Sequence, residues 1–117
     1  MNDDRIWAFE ESLWTASAEH YRESIDEACL MVLPAQPFVF TGTQSVEAVA
    51  GTPRWEEVEL SERQVARPQD GLIVIAYKAQ ARRGEQSYTA YCTSTYRRLA
   101  HEQWQVVQHQ QTVPMTS

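Results

Sequence analysis

Two side chains of the sequence combine acid–base chemistry with a setting that favours it, and the first is Glu10. It falls between two apolar rows of a predicted helix. At about 100° per residue, these rows are Ile6, Phe9 and Leu13 on one line and Trp7 and Trp14 on another. Because burial disfavours the charged form of a carboxyl group, Glu10 is a candidate general acid or base. The alternative is a position near the rim, paired with an arginine.

The second candidate, His109, stands in a polar run near the end of the chain, Gln108-His-Gln-Gln111. The run follows Trp104-Gln-Val-Val107, which has the composition of a strand that reaches the core. Amide and imidazole groups that face an interior need hydrogen-bond partners, and a ligand can supply them. His109 is therefore a candidate proton shuttle and Gln111 a candidate ligand contact. The alternative is a histidine with a structural role, on a strand with one solvent-exposed face.

Three long predicted strands place His109 in a sheet: residues 72–82, 87–99 and 103–112. The shortest turns between them align Tyr77, Cys92 and His109 in one cross-strand row. The same pairing turns four further side chains inward: Ser94, Tyr96, Val107 and Gln111. A shift of one residue would exchange the inward set of the last strand for Trp104, Val106, Gln108 and Gln110.

Aromatic residues complete the candidate ligand contacts. With Cys92 and Gln111, the predicted ligand-binding set is Trp14, Tyr21, Trp55, Tyr77 and Tyr96. Aromatic side chains also form cores, so this set has a structural alternative. The sequence contains no GxSxG, P-loop or GxGxxG motif, and its histidines and cysteines lack the spacing of metal ligands. We therefore expect neither a cofactor nor a metal.

The elements that position these residues follow a simple order. Helices are predicted over residues 3–17, 18–25 and 44–50, and strands over 29–33, 38–40 and 55–67, before the three long strands. Such an order predicts an α+β domain, with N-terminal helices packed on a strongly curved antiparallel sheet. The result is a cone with an internal pocket. We expect one domain over residues 1–112 and a tail over 113–117.

Composition narrows the class of protein. The 117 residues suit one domain, and 43% hydrophobic with 22% charged residues is typical of a folded chain. A net charge of −6 disfavours nucleic acid as a partner. No apolar run approaches the roughly 18 residues of a membrane span, and the acidic start, Met1-Asn-Asp-Asp4, is unlike a signal peptide. We expect a cytoplasmic protein with free thiols and no membrane partner.

Several strings of the chain resemble the nuclear transport factor 2-like superfamily, the cystatin-like cones, nearest the SnoaL-like branch and its uncharacterised relatives. They are Trp7-Ala-Phe-Glu-Glu-Ser-Leu-Trp14, Tyr21-Arg22, Pro53-Arg-Trp55 and Trp104-Gln-Val-Val-Gln-His-Gln-Gln-Thr112. The resemblance covers nearly the whole chain. It implies an α+β cone, commonly a homodimer packed through the sheet.

That superfamily includes steroid isomerases, polyketide cyclases, dehydratases and subunits without catalysis, so its fold does not fix a function. Its enzymes use aspartate or histidine bases in the cone, whereas the aspartates here are expected at helix ends or turns: Asp3, Asp4, Asp26 and Asp70. The favoured function is the binding of a small, partly apolar molecule. The alternatives are a cofactor-independent isomerase, cyclase or hydratase using Glu10 or His109, and a non-catalytic structural or interaction subunit.

Overall fold

Residues 1–115 form three helices and six strands. All three helices lie in the first half of the chain, and the elements after the third helix are strands. The elements are α1 Asp3–Thr15, α2 Ala18–Ser24, β1 Ile25–Val32, β2 Val39–Thr41, α3 Gly42–Ala50, β3 Glu57–Gln69, β4 Leu72–Arg83, β5 Gln86–Ala100 and β6 Gln103–Thr112. This computed structural model describes residues 1–115. Residues 116 and 117 of the predicted tail lie outside the described residues.

Each helix begins at a residue whose side chain caps the free backbone N–H groups of the first turn. Asn2 caps α1 and Ser17 caps α2. The cap of α3 is Thr41, which forms a reciprocal capping box with Gln44. No helix among residues 1–115 is long and apolar enough to cross a membrane.

The six strands form one sheet in the order β2-β1-β6-β5-β4-β3. All neighbouring strands run antiparallel except β1 and β6, which are parallel. The predicted α+β class is thus confirmed, while the sheet is mixed rather than wholly antiparallel. The parallel pair arises because β1, from the N-terminal half, lies beside the last strand of the chain.

The core lies between α1 and the inner face of the sheet. β4 alternates strictly, with odd-numbered residues from Ile73 to Ala81 buried and even-numbered ones more exposed, so its odd positions face inward as predicted. α1 contributes buried side chains from Ile6 to Trp14. Burial of these apolar surfaces is the main stabilising contribution to the fold.

A bulge in β6 changes the face that its side chains present. Tyr96 of β5 pairs with Val106, but the preceding Thr95 pairs with Gln108, so Val107 is an extra residue. Before the bulge, Trp104 and Val106 are buried. Side chains of a strand alternate between its two faces, so one extra residue reverses the face that the following residues present. The inward-facing set predicted for the shifted register is therefore found before the bulge, and the set of the unshifted register after it.

The predicted row of Tyr77, Cys92 and His109 is also wrong, because the pairing of β5 with β6 starts from Ala100 opposite Gln103 at the turn. Cys92 pairs with Tyr77 on one side and with Gln111 on the other, whereas His109 pairs with Ser94. The pairing is displaced by two residues from the predicted one. An even displacement keeps His109 and Gln111 on the inner face.

Asp26 also departs from its predicted place at a helix end or turn. β1 begins at Ile25, earlier than predicted, so Asp26 is a strand residue with a side chain 2% exposed. Its carboxylate accepts two hydrogen bonds from Arg97, at 2.7 and 3.0 Å, and one from the Ala28 amide. Burial alone would raise the pKa of Asp26, but these hydrogen bonds lower it below its usual value.

Candidate functional site

A cavity of about 200 Å³ lies between the helices and the inner face of the sheet. Its wall is mainly apolar and includes Leu13, Ile25, Met31, Leu33, Val49 and Val106. Exposed residues of α3 and of the segment before β3, Ala48, Thr52 and Pro53, form its outer edge. The cavity therefore opens to solvent beside the C-terminal end of α3.

The cavity wall contains six of the nine predicted site residues: Glu10, Trp14, Tyr21, Trp55, His109 and Gln111. The other three, Tyr77, Cys92 and Tyr96, are buried on the inner face of the sheet but do not line the cavity. They pack beneath the wall, and their role as ligand contacts stays a prediction. Whether the other six bind a ligand stays a prediction.

Glu10 is fully buried, and both of its carboxylate oxygens are occupied. Oε2 accepts hydrogen bonds from the hydroxyls of Tyr77 and Ser94, at 2.5 and 2.6 Å, and Oε1 accepts one from Tyr96. The alternative of a rim position with an arginine partner is therefore wrong. Three hydroxyl donors replace the water that a carboxylate would otherwise bind.

The two tyrosines are held in their protonated form. Burial, followed by the negative charge of Glu10, raises the pKa of Tyr77 and of Tyr96 well above the usual value. The oxygen of Tyr77 also accepts a hydrogen bond from the indole N–H of Trp14, at 3.1 Å. Helix α1 is thus tied to the sheet by a polar cluster within an apolar core.

His109 extends this cluster to the cavity. Its Nδ1 lies 2.7 Å from Ser94 Oγ and 3.6 Å from Glu10 Oε2. Burial lowers the pKa of His109, although the charge of Glu10 acts in the opposite direction. The imidazole is therefore neutral near pH 7, with one nitrogen that donates and one that accepts.

The hydrogen-bond pattern decides which nitrogen carries the proton. The single hydroxyl hydrogen of Ser94 is donated to Glu10, so Nδ1 of His109 is the N–H that donates to Ser94. Nε2 is left as an acceptor, and the amide N–H of Gln111 donates to it at 3.1 Å. The amide oxygen of Gln111 in turn accepts from the hydroxyl of Tyr88, at 2.8 Å.

These contacts form one continuous chain of hydrogen bonds from Tyr88 to Glu10. The basic nitrogen of this chain is Nε2 of His109, a residue of the cavity wall. A proton taken up there would make the imidazole a cation whose Nδ1 lies 3.6 Å from Glu10 Oε2, and the carboxylate would stabilise that charge. The arrangement resembles the general-base and orienting-carboxylate pairs of acid–base sites, with Ser94 as the intermediate.

Ser94 and Arg54 belong to the site, but the sequence did not single them out as site residues. Ser94 was expected to face inward, and a serine between Cys92 and Tyr96 on a buried strand face was the available signal. Arg54 donates hydrogen bonds from Nε to the Ala16 carbonyl, at 2.8 Å, and from Nη2 to the Leu13 carbonyl. It thereby closes the C-terminal end of α1, whose carbonyl groups lack helical partners.

The wall beside Arg54 is a stack of aromatic rings. Trp55 lies parallel to Tyr88, with ring centroids 5.7 Å apart, and the guanidinium of Arg83 lies 4.6 Å from the centroid of the Trp55 ring. Stacking and cation–π contact fix the indole at the edge of the cavity. The aromatic side of the wall is therefore preformed.

The thiols and potential metal ligands do not add a reactive centre. Cys29 and Cys92 are free and buried, and burial raises the pKa of each to about 12. At neutral pH both are therefore thiols rather than nucleophilic thiolates. Within residues 1–115, no group of three or more His, Cys, Asp or Glu side chains is placed to hold a metal ion.

Comparison with known proteins gives a fold but no sequence family. No family model matches the chain, and no curated protein matches it either. Among solved structures, a provisionally named ketosteroid isomerase from Parabacteroides distasonis superposes with a TM-score of 0.80 at 18% identity, over 93% of this chain and 85% of that one. An NTF2-like protein of unknown function in nutrient uptake from Rhodospirillum rubrum has a TM-score of 0.78 at 20% identity, over 94% of this chain and 98% of that one. The chain has the NTF2-like fold.

A third NTF2-like protein, from Cytophaga hutchinsonii, has a TM-score of 0.76 at 17% identity, over 97% of this chain and 100% of that one. The predicted superfamily resemblance is thereby confirmed at the level of the fold. Since NTF2-like proteins differ in function, the chemistry of this one depends on its own cavity residues.

Proposed function

We propose that this NTF2-like protein binds a small, mostly apolar molecule in the cone cavity, with a polar group of the ligand at His109 and Gln111. The observation that carries the proposal is a preformed apolar cavity whose hydrogen-bonding groups converge at one place. Such an arrangement is typical of small-molecule sites, in which a few polar groups orient a ligand held by apolar walls.

The cavity volume sets the size of the ligand. An apolar cavity of about 150 Å³ holds one benzene molecule, and sites for drug-sized ligands measure about 300–1,000 Å³. A volume of about 200 Å³ fits one substituted ring and cannot enclose four fused rings. The name of the Parabacteroides neighbour therefore does not suggest a ligand for this chain.

The polar groups of the wall fall into two sets. The indole N–H of Trp14 and the hydroxyls of Ser45 and Thr52 donate to partners within the fold. By contrast, the second amide hydrogen of Gln111 has no such partner among residues 1–115. Nε2 of His109 accepts from the Gln111 amide, and it can accept from a donor of the ligand instead with the same number of hydrogen bonds. A hydroxyl or carbonyl group of the ligand is the expected match.

Binding of a neutral ring compound tests this proposal. Benzyl alcohol is titrated into the protein while tryptophan fluorescence is recorded, because Trp14 and Trp55 line the cavity. Saturable binding is expected in the wild type and loss of binding in Ala48→Trp, which places a large side chain at the cavity edge. Ala50→Trp is the matched control, since Ala50 is also exposed on α3 but does not line the cavity.

Failure of saturation in the wild type, with benzyl alcohol and with the carbocyclic analogue cyclohexylmethanol, contradicts the proposal. Equal loss of binding in Ala48→Trp and Ala50→Trp also contradicts it, because only the first of these substitutions obstructs the cavity.

A second function, acid–base catalysis of the isomerase, cyclase or hydratase type, is supported by a separate observation. His109 is neutral, belongs to the cavity wall and is linked through Ser94 to a buried carboxylate. Glu10 itself is enclosed by hydroxyl groups, so in this proposal His109 is the base and Glu10 positions it. Such a base removes a proton from a carbon next to a carbonyl group and returns it elsewhere.

Hydrogen exchange of cyclohexanone in D₂O tests the catalytic proposal. The base takes an α-proton, the C–H electrons move to the carbonyl as an enolate, and a deuteron from solvent is returned to carbon. A general base contributes about 10²–10⁴-fold, so exchange in His109→Gln is expected to fall at least about 100-fold. Exchange that is no faster with the wild type than in buffer contradicts catalysis but leaves ligand binding intact.

A homodimer packed through the outer face of the sheet and a cytoplasmic location complete the proposal. Thr93, Thr95 and Gln108 on that face are only partly exposed, and Gln108 hydrogen-bonds to both threonines. A face of ordered polar side chains with an exposed tyrosine, Tyr91, suits a subunit contact. The free thiols agree with a reducing compartment.

A further inference from the structure

One positive charge in the cavity wall lacks an ionic partner within the described chain. The guanidinium of Arg54 is partly buried, and no carboxylate of residues 1–115 lies within 4 Å of it. By contrast, the other buried charge of the wall, Glu10, accepts three hydroxyl hydrogen bonds. A partly buried charge without a counterion is costly unless something outside the chain pairs with it.

Arg54 also has unused hydrogen-bond donors. A guanidinium carries five N–H groups, and the contacts to the Ala16 and Leu13 carbonyls use two of them. The guanidinium carbon of Arg54 lies 5.5 Å from the centroid of the Tyr21 ring. This is a cation–π contact, and it uses none of the N–H groups in a hydrogen bond. Burial lowers the pKa of Arg54, which agrees with a charge held away from water.

The position of Arg54 separates it from the negative floor of the cavity. Its neighbours Thr52 and Pro53 are exposed and belong to the cavity edge, while Glu10 is fully buried at the helix–sheet contact. An anionic group at the floor would be repelled by Glu10. At the edge it would meet Arg54, with a second guanidinium, Arg83, stacked on the neighbouring indole.

We infer that the ligand carries a carboxylate, which Arg54 binds at the cavity edge while an apolar ring fills the interior. The inference rests on the proposed function and names its ligand class: small aromatic or alicyclic carboxylic acids. A guanidinium matches a carboxylate geometrically because two parallel N–H groups meet two oxygens. Because the net charge of the chain is −6, the protein as a whole repels anions. The positive charge at the cavity edge therefore favours the binding of an anion at that place.

Two probes that differ only in charge test the inference: phenylacetate and its neutral amide, phenylacetamide, titrated by calorimetry at pH 7.5. A charge-assisted hydrogen bond is about twice as strong as a neutral one, so the wild type is expected to bind the carboxylate about tenfold more tightly. In Arg54→Gln this ratio should fall to about one, and in Arg54→Lys, which keeps the charge without the fork, to an intermediate value. Arg22→Gln is the control, because Arg22 is exposed and does not line the cavity but its loss changes the net charge equally.

The ratio of the two affinities within one variant is independent of the fraction that is folded, so a destabilising effect of losing the contacts to α1 does not mimic the expected result. Equal binding of both probes by the wild type overturns the inference and leaves the proposed function standing. An unchanged ratio in Arg54→Gln, or the same fall in Arg22→Gln, also overturns it. Binding of neither probe, together with no binding of benzyl alcohol, contradicts both proposals.

Discussion

Replacement of Glu10 is expected to destabilise the protein in a graded way that follows its hydrogen bonds. In Glu10→Ala, the hydroxyls of Tyr77, Ser94 and Tyr96 lose their acceptor inside the core, although Ser94 still accepts from His109. A buried donor left without a partner costs about 1–3 kcal/mol. Three such hydroxyls, together with the space left by the side chain, predict a loss of at least about 4 kcal/mol.

The isosteric substitution Glu10→Gln should cost less. The amide oxygen can take the place of Oε2 and keep the hydrogen bonds from Tyr77 and Ser94, while the NH₂ group then faces the hydroxyl of Tyr96, which is itself a donor. One hydrogen bond of the cluster is therefore lost or reversed, which predicts about 2 kcal/mol. The control Glu11→Gln changes the neighbouring residue, which is exposed, and should stay within about 0.5 kcal/mol of the wild type.

Urea denaturation measures the three variants against the wild type, with the m-value compared so that a change in midpoint reports stability alone. The expected order of loss is Glu10→Ala, then Glu10→Gln, then Glu11→Gln. The reasoning is refuted if Glu10→Gln is no less stable than Glu11→Gln, because the carboxylate would then not be the acceptor on which the cluster depends.

Three further predictions concern pH, a buried ion pair and assembly. Because the pKa of His109 is lowered below its ordinary 6.5, the unfolded chain binds more protons below about pH 6.5. The free energy of unfolding should therefore fall between about pH 7.5 and pH 5, and it should fall less in His109→Gln; equal slopes would contradict a buried neutral imidazole. Loss of the buried carboxylate in Asp26→Asn should cost about 1–3 kcal/mol in urea denaturation, since Arg97 is left without its partner. The exposed Asp70→Asn should cost less than about 1 kcal/mol, and equal losses would argue against burial as the cause. In light scattering, the wild type should have twice the 13.5 kDa mass of one chain, and Tyr91→Glu should approach a single chain; a monomeric wild type would exclude the homodimer.

The helices and the alternation of β4 could be predicted from the sequence because their signals are local. Asn2 and Ser17 cap their helices through hydrogen bonds to backbone N–H groups three residues away. Helical periodicity likewise placed Glu10 between two apolar rows of one helix, but it left open whether the carboxylate lies in the core or near the rim.

The features that the sequence did not predict depend on distant parts of the chain. The bulge at Val107 is defined only by the pairing of β6 with β5. It decides which residues of β6 face inward on either side of it. The carboxylate of Asp26 is compensated within a strand by Arg97, which lies 71 positions later in the chain. The contact of Arg54 with the end of α1 spans 38 positions, and no spacing rule links the two.

The central claim is that a small molecule binds in the cavity at the acceptor nitrogen of His109, and ¹⁵N-histidine NMR tests it most directly. In the free protein near pH 7, we predict a neutral imidazole with its proton on Nδ1, held by Ser94. Addition of benzyl alcohol should shift the Nε2 resonance of His109 in a saturable way, while the exposed His101 stays unchanged. An Nε2 resonance of His109 that does not respond would contradict the account.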